Sequence, residues 1–192
     1  MWALVEDNEI TKLINKPKGL VIGDTRHSRK IFQLWTNEER EAIGIYEVVF
    51  DNSNKKDEAY YNNTNQSFDY ADGEVTASYG NATPQELDDV TDEDDNVTKG
   101  LKSQKKDIIK QQASGLLAPT DWYVLKAIDV EDYSVPSAVS TFRTNVRTRS
   151  NEMETAIDNA SDVDALKALY EYTEQADGSF ARPLGEFPTL EI

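Results

Sequence analysis

PSAVSTFRTNVRTRSNEMETAI, residues 136–157, decides how this chain is read. Val139, Phe142, Val146, Ser150, Met153 and Ile157 recur in it at spacings of three and four. That period places them on one face of a helix of roughly twenty residues, with Pro136 in its first turn, where a missing N–H costs nothing. Downstream, Ser161-Asp162-Val163-Asp164 caps a further helix that turns Val163, Leu166, Leu169 and Tyr170 inward. The Asn159–Ser161 link is short enough to fold these two helices antiparallel. Upstream, Pro119 and the cap Thr120-Asp121 start a short helix over Trp122–Ile128. Trp122 and Tyr123 are expected to seal the hairpin core. A preceding helix from Lys99 carries Leu101, Ile108, Ile109 and Gln112, and ends at Ser114-Gly115.

The first eighty-odd residues follow a different period. Ile45–Phe50 is β-branched and aromatic throughout, the strongest strand of the chain. Glu9–Ile14, Leu20–Ile22, Tyr60-Tyr61, Ser67–Tyr70 and Glu74–Tyr79 read as further extended segments, with Ala71-Asp72-Gly73 as a hairpin turn. Thr36 and Glu39 fit a capping box for a two-turn helix that Gly44 stops. Between the halves, Glu86–Asp95 holds seven carboxylates and no cation, the composition of a solvated linker. The expected fold is therefore α+β, in four parts. They are a small β-rich domain (1–85), an acidic linker (86–98), a helical hairpin module (99–175) and an extended apolar tail (176–192).

Composition limits the chemistry. Among 192 residues, 36 acidic side chains outnumber 20 basic ones, for a net charge of -16. That balance argues against nucleic acid, whose phosphates attract a basic face. Eighteen aromatics argue against wholesale disorder. Cysteine is absent, which removes disulfides and thiolate chemistry, and His27 is the single histidine. No metal ligand set, cofactor motif or catalytic motif is expected, and the cationic run Arg26–Lys30 reads as an exposed turn. The acidic block lacks the glycine and closing glutamate of a calcium loop. Neither a secretory leader nor a membrane-spanning run is expected, and the five Asn-x-Ser/Thr sequons look accidental. Binding, not turnover, is the expected activity. Arg143 and Arg147 flank the long helix's apolar stripe, where they pack on the core edge, form an ion pair or meet a partner. The tail's Phe180, Leu184, Phe187 and Leu190, kept out of helices by Pro183 and Pro188, either form a second candidate partner surface or pack back on their own domain.

One stretch resembles a known family. Leu117, Thr120, Asp121, Trp122, Pro136, Phe142, Arg143, Val146, Arg147, Asn151, Glu154 and Ile157 follow the order of the C-terminal helical module of bacteriophage tail proteins. The likeness is to tail-fibre assembly and tail assembly chaperone-like proteins above all. Ile31–Tyr46 looks like the small leading domain of the same proteins. The resemblance implies a non-enzymatic protein that binds a tail-fibre or baseplate polypeptide, in the host cytoplasm during assembly. The alternative is a permanent structural component of the virion tail. Oligomerisation within the tail assembly is compatible with both.

Overall fold

The computed structural model describes residues 1–191 and bears out an α+β fold, with the tail's last residue, Ile192, outside them. The chain divides into two compact units, 1–83 and 84–192.

The first unit contains strands β1 (Trp2–Glu6), β2 (Glu9–Ile14), β3 (Leu20–Ile22) and β4 (Thr25–His27). Helices α1 (Ile31–Leu34) and α2 (Asn37–Glu41) follow, then strands β5 (Ile45–Asp51), β6 (Tyr61–Asn62), β7 (Ser67–Ala71), β8 (Glu74–Ser78) and β9 (Thr83–Pro84). Five strands form one sheet in the order β2-β1-β5-β8-β7, with β5 and β8 parallel and the other neighbours antiparallel. Its centre is β5, paired on one side with β1, a strand the sequence reading did not assign. Asp7 and Asn8, both at positive φ, form the tight turn that joins β1 to β2.

Both sheet faces carry buried apolar residues. Leu4, Ile14 and Ile45 pack under Leu20, Ile31 and Phe32 on one side, while Ala3, Val5, Val48, Val75 and Ala77 fill the other. Ile10 and Ile14 serve opposite faces despite their even spacing. The register between β1 and β2 shifts by one residue after Leu4, and this bulge at Thr11 reverses the alternation. The expected capping box forms, with the Glu39 N–H donating to Thr36 Oγ1 at 3.2 Å and the Thr36 N–H to Glu39 Oε2 at 2.8 Å. Gly44 sits at φ +81°, and a Cβ there would press on the Val5 carbonyl.

The second unit opens with a hairpin, not a linker. Strands β10 (Val90–Thr91) and β11 (Val97–Thr98) pair across a turn built on Asp92. The Asp92 carboxylate accepts from the backbone N–H groups of Asp94 and Asn96, both at 2.9 Å. The acidic segment then closes over the start of helix α3 (Leu101–Leu117). The N–H of Gly100 donates to Asp89 Oδ1 at 2.9 Å, and those of Leu101 and Lys102 donate to the Glu86 and Leu87 carbonyls. Carboxylates at the positive end of a helix are stabilising, so Asp89, and Asp88 through its pair with Lys102 at 3.1 Å, are structural.

Helix α3 runs through Gly115, past its expected end, and buries Leu101, Ile109 and Ala113 while leaving Ile108 exposed. A 3-10 turn (Ala118–Thr120) leads straight into helix α4 (Asp121–Asp129), and a loop leads to helix α5 (Ser137–Asp158). The six residues of the α5 stripe are its six buried residues. Its main packing partner is α3 rather than the following helix, α6 (Val163–Ala168). Lys106 pairs with Asp158 at 2.7 Å and Lys110 with Glu154 at 3.3 Å, while the other end of α3 meets Arg143, so the two helices run antiparallel. Asp162 caps α6 by accepting from the Ala165 N–H at 2.7 Å.

The tail packs on its own unit. After α6 come the short strands β12 (Thr173–Glu174) and β13 (Phe180–Ala181), and the chain returns along α5. Leu184 is 2% exposed, and Phe187 and Leu190 pack against Phe142, Val146 and Ala113. Arg149 fixes this strap by donating to the carbonyls of Leu184 (2.9 Å) and Glu186 (3.2 Å). Gly185, at φ +71°, lies where a Cβ would collide with the Arg149 guanidinium.

Candidate functional site

Three candidate surfaces lie in the second unit: the Arg143/Arg147 face of α5, the tail, and α4. Arg143 is largely buried, and its Nη1 donates to the Leu117 carbonyl at 3.1 Å and to Thr120 Oγ1 at 2.5 Å. The same nitrogen pairs with Asp121 Oδ1 at 2.7 Å. Thr120 is therefore not the side-chain cap the sequence suggests: its hydroxyl donates to the Leu117 carbonyl at 2.6 Å and accepts from Arg143. These bonds tie α5 to the junction of α3 and α4, and Arg143 thus takes the intramolecular option rather than that of a free partner-binding cation. Arg147 stays exposed; Nη1 donates to the Arg143 carbonyl at 3.3 Å.

Both arginines border an open cleft of about 470 Å³ between α3 and α5, lined also by Lys110, Ser114, Ser150 and Asn151. Asp121 and Glu154 already balance Arg143 and Lys110 there. Arg147 is the one cation of the cleft left without an ion pair among the described residues. The cleft holds no histidine; His27 lies in the first unit, edge-on to the Trp35 ring with centroids 5.8 Å apart. Among the described residues, no group of three His, Asp or Glu side chains is placed to hold a metal ion, and no helix is long and apolar enough to cross a membrane.

The tail residues divide. Leu184, Phe187 and Leu190 are engaged within the unit, whereas Phe180 is exposed on the β12–β13 hairpin. Of the six residues named for partner binding, only Arg147 and Phe180 remain exposed on the surface.

The surface the sequence reading did not identify is α4. Among the helices of the described residues it alone buries no residue. Trp122 is 49% exposed, Leu125 60% and Ile128 77%, so Trp122 is corrected from a core residue to a surface one. At spacings of three these side chains share a face, while Tyr123 and Ala127 turn partly inward. The sequence held a signal of this. Asp121, Leu125 and Asp129 fall at i, i+4 and i+8, so the face centred on Leu125 carries a carboxylate one turn away on each side, which a buried face does not tolerate. The Lys126 ammonium lies over the Tyr133 ring at 4.4 Å and near the Trp122 ring at 5.8 Å.

Fold and surface together define an α+β protein whose helical unit presents one amphipathic helix, apolar side outward. Comparison with family models, with curated proteins and with solved structures finds no match to this chain.

Proposed function

We propose that this protein acts by binding rather than by turnover, as a bacteriophage tail protein that holds a tail-fibre or baseplate polypeptide during tail assembly. The resemblance of residues 117–157 to the helical module of tail-fibre assembly proteins supports the phage context. The observation that carries the binding mode is the outward face of α4, since a row of Trp, Leu and Ile on a charged protein usually marks an interaction surface. That face lies inside the resembling segment. Arg143, also within it, serves the site indirectly by fixing the root of α4.

The test is quantitative proteomics of purified particles and assembly intermediates made from the genome that encodes this chain. Trace amounts in particles with enrichment in intermediates mark a transient assembly factor; stoichiometric amounts in particles mark a permanent component. Absence from both sinks the tail reading. The Leu125→Glu/Ile128→Glu variant should drop out of whichever fraction holds the parent protein.

A further inference from the structure

We propose that the outward face of α4 docks a basic, amphipathic helix of its partner polypeptide; this rests on the binding function above and specifies the chemistry of what is bound. The apolar half of the recognition is Trp122, Leu125 and Ile128, one strip along the helix. The charged half is what surrounds the strip. Asp129 ends the helix, and Glu131 and Asp132 follow just after Val130. None of these three carboxylates has an ion pair among the described residues.

Their position is unfavourable for the isolated chain. The C-terminal end of a helix carries partial negative charge, and cations, not carboxylates, are stabilising there. The cation in the last turn of α4, Lys126, is drawn onto the Tyr133 and Trp122 rings. The end of α4 thus combines three unpaired carboxylates with the negative pole of the helix, beside an uncovered apolar strip. Lysines or arginines flanking apolar anchors at helical spacing on a partner would satisfy both halves at once. A second copy of this chain fits less well, because it brings another net charge of -16 and the same three carboxylates. An acidic or neutral helix would leave the carboxylates unpaired.

The experiment uses the full chain and a labelled synthetic Leu/Lys amphipathic peptide of about 18 residues, long enough to be helical when bound. Anisotropy titrations compare it with a Ser/Lys peptide of equal charge. The proposal expects the Leu/Lys peptide to bind at least about tenfold tighter than the Ser/Lys control. Leu125→Glu/Ile128→Glu should remove that advantage, at positions exposed enough to leave the circular dichroism unchanged. Asp129→Lys/Glu131→Lys should exchange the preference, so that a Leu/Glu peptide binds and the Leu/Lys peptide no longer does. Equal binding of the two lysine peptides would mean simple counter-charge attraction and overturns the proposal. So does a dimer in sedimentation that Leu125→Glu/Ile128→Glu dissociates, because a second copy then covers the strip. If the peptide fails while that variant is still lost from the particle fractions, the basic-helix inference falls and the tail reading stands. Peptide binding with the variant retained in particles supports the basic-helix chemistry of α4, leaves the tail reading standing and removes α4 as the contact that holds the chain in the particle.

Discussion

A guanidinium that reaches a backbone carbonyl, a hydroxyl and a carboxylate together fixes the chain that carries all three. Arg143 does this for Leu117, Thr120 and Asp121, the three positions through which α3 becomes α4. Replacing Arg143 with Met keeps the apolar stem over the core edge and removes only the bonds. The expected loss is about 2 kcal/mol, discounted because Asp121 is more than half exposed. Urea titration measures the loss, and hydrogen exchange should show the α4 amides speeding up before those of α5. Gly185 permits a sharper test. An alanine there must adopt φ +71° and displace the Arg149 guanidinium, so Gly185→Ala should cost about 1–3 kcal/mol. Arg149→Ala in the same chain should recover the steric part of that cost, which a double-mutant cycle reads directly.

The elements divide by how much of their partner lies within their own sequence. The stripe of α5 was legible down to its last residue, because a 22-residue helix repeats one period often enough to specify a face. The capping box of α2 was legible because its donors and acceptors lie within three residues. Strand β1 was not, since Trp-Ala-Leu-Val alone does not separate a buried strand from any other short apolar run. The acidic segment misled for a related reason. Its carboxylates bond to Gly100 and Asn96, contacts made by tertiary placement that composition does not encode. The same bonds set a pH dependence. The Ser103 hydroxyl, followed by the Gly100 N–H, holds Asp89 below the usual carboxylate range. Asn96 does the same for Asp92, and the Ala165 N–H for Asp162. A carboxyl that is more acidic folded than unfolded contributes stability above its unfolded value and loses it as pH falls through its folded one. Thermal stability should therefore hold from neutrality to about pH 4 and decline below that, and Asp92→Asn should flatten the decline. The strap gives the largest effect at this scale. Deleting residues 178–192 removes fully buried Leu184, whose truncation alone is worth about 2–5 kcal/mol. The deletion should lower the melting temperature by many degrees in differential scanning calorimetry.

For the whole molecule, the switch from a two-residue to a 3.6-residue period identified the fold class. The structure moves the division to Thr83/Pro84 and gives the acidic segment to the helical unit. Each unit has its own buried apolar clusters, so residues 1–83 alone should retain a cooperative urea transition. The proposed binding surface was the least legible part, because the chemistry of Trp122 suits a core while the flanking carboxylates signal exposure. The absence of buried residues in α4 also determines how the native chain breaks. Trypsin cuts only locally opened chain, and Lys126 lies in the one helix, among those of the described residues, that buries no side chain. Cleavage there should proceed at a rate nearly independent of low urea concentrations. It leaves α3 on one fragment and α5 on the other, still packed antiparallel. The nicked protein should elute from gel filtration as one species and separate into two pieces only in detergent, the behaviour of a naturally split protein whose halves complement each other.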